Sequence, residues 1–235
     1  MQKTKKTWYN KEEDRNETGA SKLLGFVKKY LWPQANSKPV IKSEGEVLRS
    51  LVELIPPHVS RDDVVFFCIG TNQISGDCLG PLVGSYLKTN GYANVFGTLQ
   101  DPIDAKNIKE KILEVPKGKF IIAIDAALGT FSYVESFSVF TGPLRPGAGI
   151  GKELPAIGNV GIVGIVNLKD WRTDSQILFR TPLSIVIPMV ITLSSALMKR
   201  FPMPQQRRVN IFEEDIEIRA YLKRLKGEHY SPLLG

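Results

Sequence analysis

Val64-Val-Phe-Phe-Cys-Ile-Gly-Thr-Asn-Gln-Ile-Ser-Gly-Asp-Cys-Leu-Gly-Pro81 decides how this chain folds. Residues 64–69 are an unbroken apolar run, the pattern of a strand buried on both faces. A glycine-containing loop follows, then an apolar helical pattern over about 78–89 that Asn90-Gly91 ends. Strand, tight loop and helix open a parallel α/β unit. Asp77 lies in the loop, outside the strand's carboxyl end, where open α/β sheets bind ligands.

The pattern recurs in Phe120-Ile-Ile-Ala-Ile-Asp-Ala-Ala-Leu-Gly129, where a buried strand over Phe120–Ile124 ends in Asp125. Between the two lie a strand at Asn94–Leu99 and a helix over 104–114. Tyr133–Phe140 alternates and reads as a more exposed strand or hairpin arm. Val160–Leu168 is another strand, and a helix at about 181–200 closes the core. Glu44–Ile55 is an amphipathic helix with Val47, Leu48, Leu51, Leu54 and Ile55 on one face. The predicted fold is α/β, a mainly parallel sheet with helices on both faces.

The 235 residues carry a net charge of +7, but the core is nearly neutral. Residues 61–200 hold 14 Lys/Arg and 12 Asp/Glu, so most of the excess sits at the ends. No nucleic-acid motif accompanies it, and specific nucleic-acid binding is not expected. Cys68 and Cys78 form no disulfide or zinc pattern, and a reducing cytoplasm suits them. The basic start lacks the apolar run of a secretory signal. Thr181–Met198 is uncharged and touches the lower length limit for a membrane span. Its two prolines and five Ser/Thr favour a buried helix instead.

Asp77 precedes a helix, so its plain reading is an N-cap whose N–H bonds keep it ionised. Asp125, ending a buried strand, has less structural excuse, and burial raises its pKa. One charged and one protonated carboxylate would suit general acid/base work on water. Cys78 reads as a packing residue, because His58 and His229 both lie outside the core. Gly70–Gly76 superficially resembles a phosphate loop but lacks the Gly-Lys-Ser/Thr that such loops need.

The run Phe67–Gly84 resembles the signature of the YyaC family of sporulation proteins. Gly97-Thr-Leu99, Ala123–Gly129, Gly142–Gly149 and Gly164-Ile-Val-Asn167 follow in the family's order. The resemblance spans roughly 45–200. It implies the phosphorylase/hydrolase-like fold of germination protease and of hydrogenase maturation endopeptidases. Asp77-Cys-Leu-Gly-Pro81 and Ile124-Asp-Ala126 match the two germination-protease segments that each bring a functional aspartate. The maturation enzymes have Asp-Glu where this chain has Asp77-Cys78, and their histidine ligand has no counterpart here. The family pattern also places histidines where Asp104 and Gly161 stand, which makes Asp104 a third acid or a cap for the following helix.

The expected organisation is a disordered basic tail over 1–20, a single peptidase-like domain over 21–200, and a charged helical extension over 201–235. The expected activity is a spore protease-like peptidase with Asp77 and Asp125 as catalytic residues, a protein or peptide as substrate, and no cofactor or metal. Backbone N–H groups after Gly76 would steady the oxyanion, and the loop 142–151 would border the cleft. The alternative is a non-catalytic sporulation protein that binds a partner through the same fold.

Overall fold

A computed structural model describes residues 40–147, 154–169 and 174–203. The tail over 1–20, the centre of the loop 142–151 and the extension over 201–235 lie wholly or almost wholly outside these residues.

Helix α1, Glu44–Leu54, begins at a capping box. The Ser43 hydroxyl accepts the Glu46 amide at 3.3 Å, and the Glu46 carboxylate accepts the Ser43 amide at 2.9 Å. Each partner so satisfies a backbone donor that the first helical turn leaves open. Val47 and Leu51 are its buried stripe.

Strand β1, Val64–Cys68, is buried at every position, as its unbroken apolar run requires. Helix α2 (Leu79–Thr89) leads to β2, which covers only Val95–Phe96. Helix α3 is a single turn, Ile108–Lys111, continued by a 3₁₀ turn over Ile112–Glu114. Strand β3 spans Phe120–Gly129, β4 Ser136–Thr141 and β5 Val160–Leu168. Helices α4 (Asp174–Phe179) and α5 (Leu183–Arg200) follow. The five-stranded sheet runs β2-β1-β3-β5-β4, parallel except for β4, which is antiparallel to β5.

The sheet's two faces are covered unequally. Val64, Phe66, Ile122, Ile124 and Ile162 pack under α1, α2 and α5. Phe67, Ala123, Val163 and Ile165 face Ile108 of α3 and the loop residues Ile103, Leu144 and Ile157.

Three expectations need correction. Strand β3 runs five residues past Ile124, so Asp125 lies within it and not at its end. Strand β4 is not an exposed arm: Ser136–Val139 are buried, and Ile41 bridges to Phe137 along its free edge. The helix expected over 104–114 shrinks to its second half. Helix α5 is long and apolar enough to cross a membrane, yet Val186, Val190, Leu193 and Leu197 are fully buried in the core beneath the sheet.

Candidate active site

Strand β1 stops at Cys68, and the chain beyond it is held from both sides. The Ile69 amide donates to the Ile124 carbonyl at 2.7 Å, and the Gly70 amide donates to the Ile103 carbonyl at 2.8 Å. Ile124 directly precedes Asp125, and Ile103 directly precedes Asp104. Two hydrogen bonds from adjacent residues therefore set an aspartate on either side of the end of β1. The third acid arrives from the loop: the Thr71 amide donates to the Asp77 carboxylate at 3.1 Å and to the Asp77 carbonyl at 3.2 Å. All three aspartates are partly exposed as residues.

Asp77 is not a helix cap. It ends a 3₁₀ turn, Ser75–Asp77, and the N-cap of α2 is Cys78, which makes no side-chain capping bond. Gly70, at φ +139°, bends the chain back over this turn, and a Cβ there would collide with the Asp77 carbonyl. The turn is buttressed from α4 and its C-terminal flank. The Ser75 hydroxyl donates to the Thr181 carbonyl at 2.6 Å, and a Cβ on Gly76 would lie 2.7 Å from both Leu178 O and Thr181 Oγ1. Thr181 is fixed in turn by Asn167, whose Nδ2 donates to its hydroxyl at 3.1 Å. On the far side the Asn72 side-chain Nδ2 donates to the Leu99 carbonyl at 2.8 Å. The short Gly97-Thr-Leu99 and Gly164-Ile-Val-Asn167 motifs thus position the acid loop.

The electrostatics follow from this crowding. Burial raises the Asp77 pKa to about 6; the Thr71 amide opposes that rise and the charge of Asp104 adds to it. Asp125 is raised well above the usual carboxylate range, first by burial and then by the charge of Asp77, while the Ala126 amide at 2.9 Å opposes the rise. Asp125 gives no such push to Asp77. The order is consistent: Asp77 ionises first, and its charge then holds the proton on Asp125. The expectation that capping bonds keep Asp77 ionised is overturned, since burial raises its pKa too; the asymmetry that remains is that the charge of Asp77 acts on Asp125.

Two expected helpers are otherwise engaged. The Asp77 amide donates to the Ile74 carbonyl and the Cys78 amide to the Ser75 carbonyl, inside the 3₁₀ turn. Neither is available to an oxyanion. Cys78 is buried, its thiol donates to the Ser75 carbonyl at 2.9 Å, and burial pushes its pKa to about 11. Among the described residues no three His, Cys, Asp or Glu side chains are grouped to hold a metal ion. A cavity of about 150 Å³ between Arg61, Tyr92 and Met203 lies at the opposite, amino end of β1 and takes no part in the acid cluster.

Asp77 and Asp125 come from the sequence motifs. Asp104 is weaker there, because Pro102-Ile-Asp104 shows no strand pattern: Ile103 joins the sheet through an isolated bridge to Ile69. Its reading as a helix cap does not hold, because the N-cap of α3 is Asn107; Asp104 Oδ1 instead accepts the Lys106 amide at 2.7 Å in the turn before the helix. Gly161 has no room for a histidine, as a Cβ there would strike the Phe140 ring.

Comparisons with known proteins agree with the motifs. YyaC of Bacillus subtilis (strain 168), described as an uncharacterized protein, is 43% identical over 139 residues, covering 57% of this chain and 67% of that protein. The NiFe hydrogenase maturation protease HycI of Thermococcus kodakarensis KOD1 covers 65% of this chain and 99% of its own, at 14% identity and a TM-score of 0.42. That likeness is too loose to bear on chemistry. The family model described as a protein of unknown function (DUF1256) matches residues 39–196, and the chain belongs to that family.

Proposed function

We propose that this chain is a peptidase in which Asp77 and Asp125 hydrolyse a peptide bond with water, in the cytoplasm of a sporulating cell or in the spore. The observation that carries the reading is the ordered pair of carboxylates at the end of β1. Asp77, with a pKa of about 6, is ionised near neutral pH, while Asp125 is held in the acid form beside it. A general base and a general acid are thereby poised at the same pH.

In this mechanism the Asp77 carboxylate removes a proton from water as the oxygen attacks the scissile carbonyl carbon. Asp125 gives its proton to the carbonyl oxygen, and a neutral gem-diol results. Asp77 then passes its new proton to the amide nitrogen as the C–N bond breaks. Asp125 recovers a proton from the collapsing diol. Protonating the carbonyl oxygen replaces the amide oxyanion hole, which fits a turn whose N–H groups are spent. Asp104 contributes a charge that keeps Asp77 basic enough to act near neutrality.

The role in sporulation or germination rests on the family resemblance. Small acid-soluble spore proteins are the substrates to test, with the wild type beside Asp77→Asn and Asp125→Asn. Cleavage by the wild type and a loss of at least about a hundredfold in each variant is expected for general acid/base groups. No cleavage by any of the three would abandon hydrolysis for partner binding.

A further inference from the structure

Strand β3 is longer than its neighbour. Strand β1 pairs with Phe120–Ile124 and ends, whereas β3 continues through Asp125–Gly129 with β5 alone beside it. The direction of each backbone group follows from the bonds on either side. Ile124 accepts from Ile69, on the β1 side, whereas Ile121 and Gly129 accept from Asn159 and Lys169, on the β5 side. Backbone groups alternate along a strand, and Ala126 and Leu128 share the parity of Ile124, so theirs point to the side where β1 has stopped.

Among the described residues no main-chain hydrogen bond reaches the Ala126 carbonyl or the amide and carbonyl of Leu128 on that side. Both residues are partly exposed. Gly70, at φ +139°, turns the chain aside from the line of β1. Unpaired strand edges of this kind accept an extended chain as an added strand.

An exposed apolar side chain follows the open strand: Phe131, two residues beyond Gly129, is 82% exposed. An apolar side chain of an added strand would find contact there. The three aspartates disfavour a phosphate-bearing ligand at the same edge.

We propose that the β3 edge at Ala126–Leu128 binds an extended, unfolded polypeptide as an added strand and so draws its backbone past Asp125 and Asp77. This rests on the peptidase reading and names its substrate class: a flexible segment recognised through main-chain hydrogen bonds and an apolar side chain, not a folded surface.

The test uses the full chain and β-casein, an unstructured polypeptide, as probe. Hydrogen exchange is measured on Asp77→Asn, which separates binding from cleavage. Slowing of the Leu128 amide by at least tenfold at saturating casein is expected, and casein without that slowing overturns the proposal. Leu128→Pro removes the outward N–H without touching a β5 bond, and should weaken casein binding at least tenfold. Should that variant not fold, the exchange measurement on Asp77→Asn decides alone. Protection of the edge with no cleavage by the wild type keeps strand addition and ends the hydrolase reading. Cleavage with an unprotected edge does the reverse.

Discussion

The Thr71 amide is shared by two oxygens of one residue, the Asp77 carbonyl at 3.2 Å and the Asp77 carboxylate at 3.1 Å. Main chain and side chain of Asp77 are thus pinned to one donor, and the donor follows directly on Gly70. The position of the candidate base therefore depends on how the chain leaves β1.

Gly70→Ala should damage the site and the fold together. The backbone there has φ +139°, and an added Cβ meets the Asp77 carbonyl. Strain and collision together should cost about 2–4 kcal/mol in urea unfolding. Gly118, at φ +81° with open space around its Cβ position, is the control. Gly118→Ala should cost only about 1 kcal/mol. Equal losses at the two sites would mean that the collision with Asp77 does not occur.

Asp77 makes stability fall as pH rises. Its folded pKa, about 6, lies above the usual carboxylate value of 3.8. Below 3.8 both folded and unfolded forms are protonated and the contribution is complete. Between 3.8 and about 6 the folded form holds the extra proton, so stability is lost as pH climbs through that window. Burial of Asp125 acts with the same sign at higher pH. Asp77→Asn should therefore raise stability above pH 7 by about 1–2 kcal/mol, after discounting for solvent screening, and leave it unchanged at pH 3. A variant less stable at both pH values would contradict the burial argument.

Asp104→Asn should move the acid limb of the pH–activity profile to lower pH, because the charge that raises Asp77 is gone. The limb for the wild type is expected near pH 6. Burial is the larger cause, so the variant's limb should remain above pH 4. An unmoved limb would mean that Asp104 does not act on Asp77. Loss of the Lys106 turn bond alone would lower stability without shifting the profile.

The unbroken apolar runs at Val64–Ile69 and Phe120–Ile124 made the parallel sheet legible, because burial on both faces leaves no other pattern. They also put Asp77 and Asp125 at one edge. The length of β3 was not legible: Ala126-Ala-Leu-Gly129 is short-chained and ambiguous, and only pairing with β5 extends it. Tyr133–Phe140 misled by its alternation, since Ser136 and Ser138 are buried polar residues, and the Ser136 hydroxyl donates to the Tyr133 carbonyl. The buttress from Ser75 to Thr181 joins positions 106 apart in sequence, and no local pattern reports such a contact.

Cys78 separates the aspartate mechanism from a thiol one. Its place before α2 gives it the setting of an activated cysteine, yet the residue is 5% exposed, and burial, with the charge of Asp77 adding to it, pushes the thiol pKa up to about 11. At pH 8 about one molecule in a thousand would carry the thiolate. Iodoacetamide at that pH should leave the native protein unmodified and label it only after unfolding. Cys78→Ala should retain peptide hydrolysis within about threefold and lose about 1 kcal/mol of stability from the vacated core volume. Rapid alkylation that abolishes hydrolysis would transfer the nucleophile from water to sulfur and displace Asp77 from its role as base.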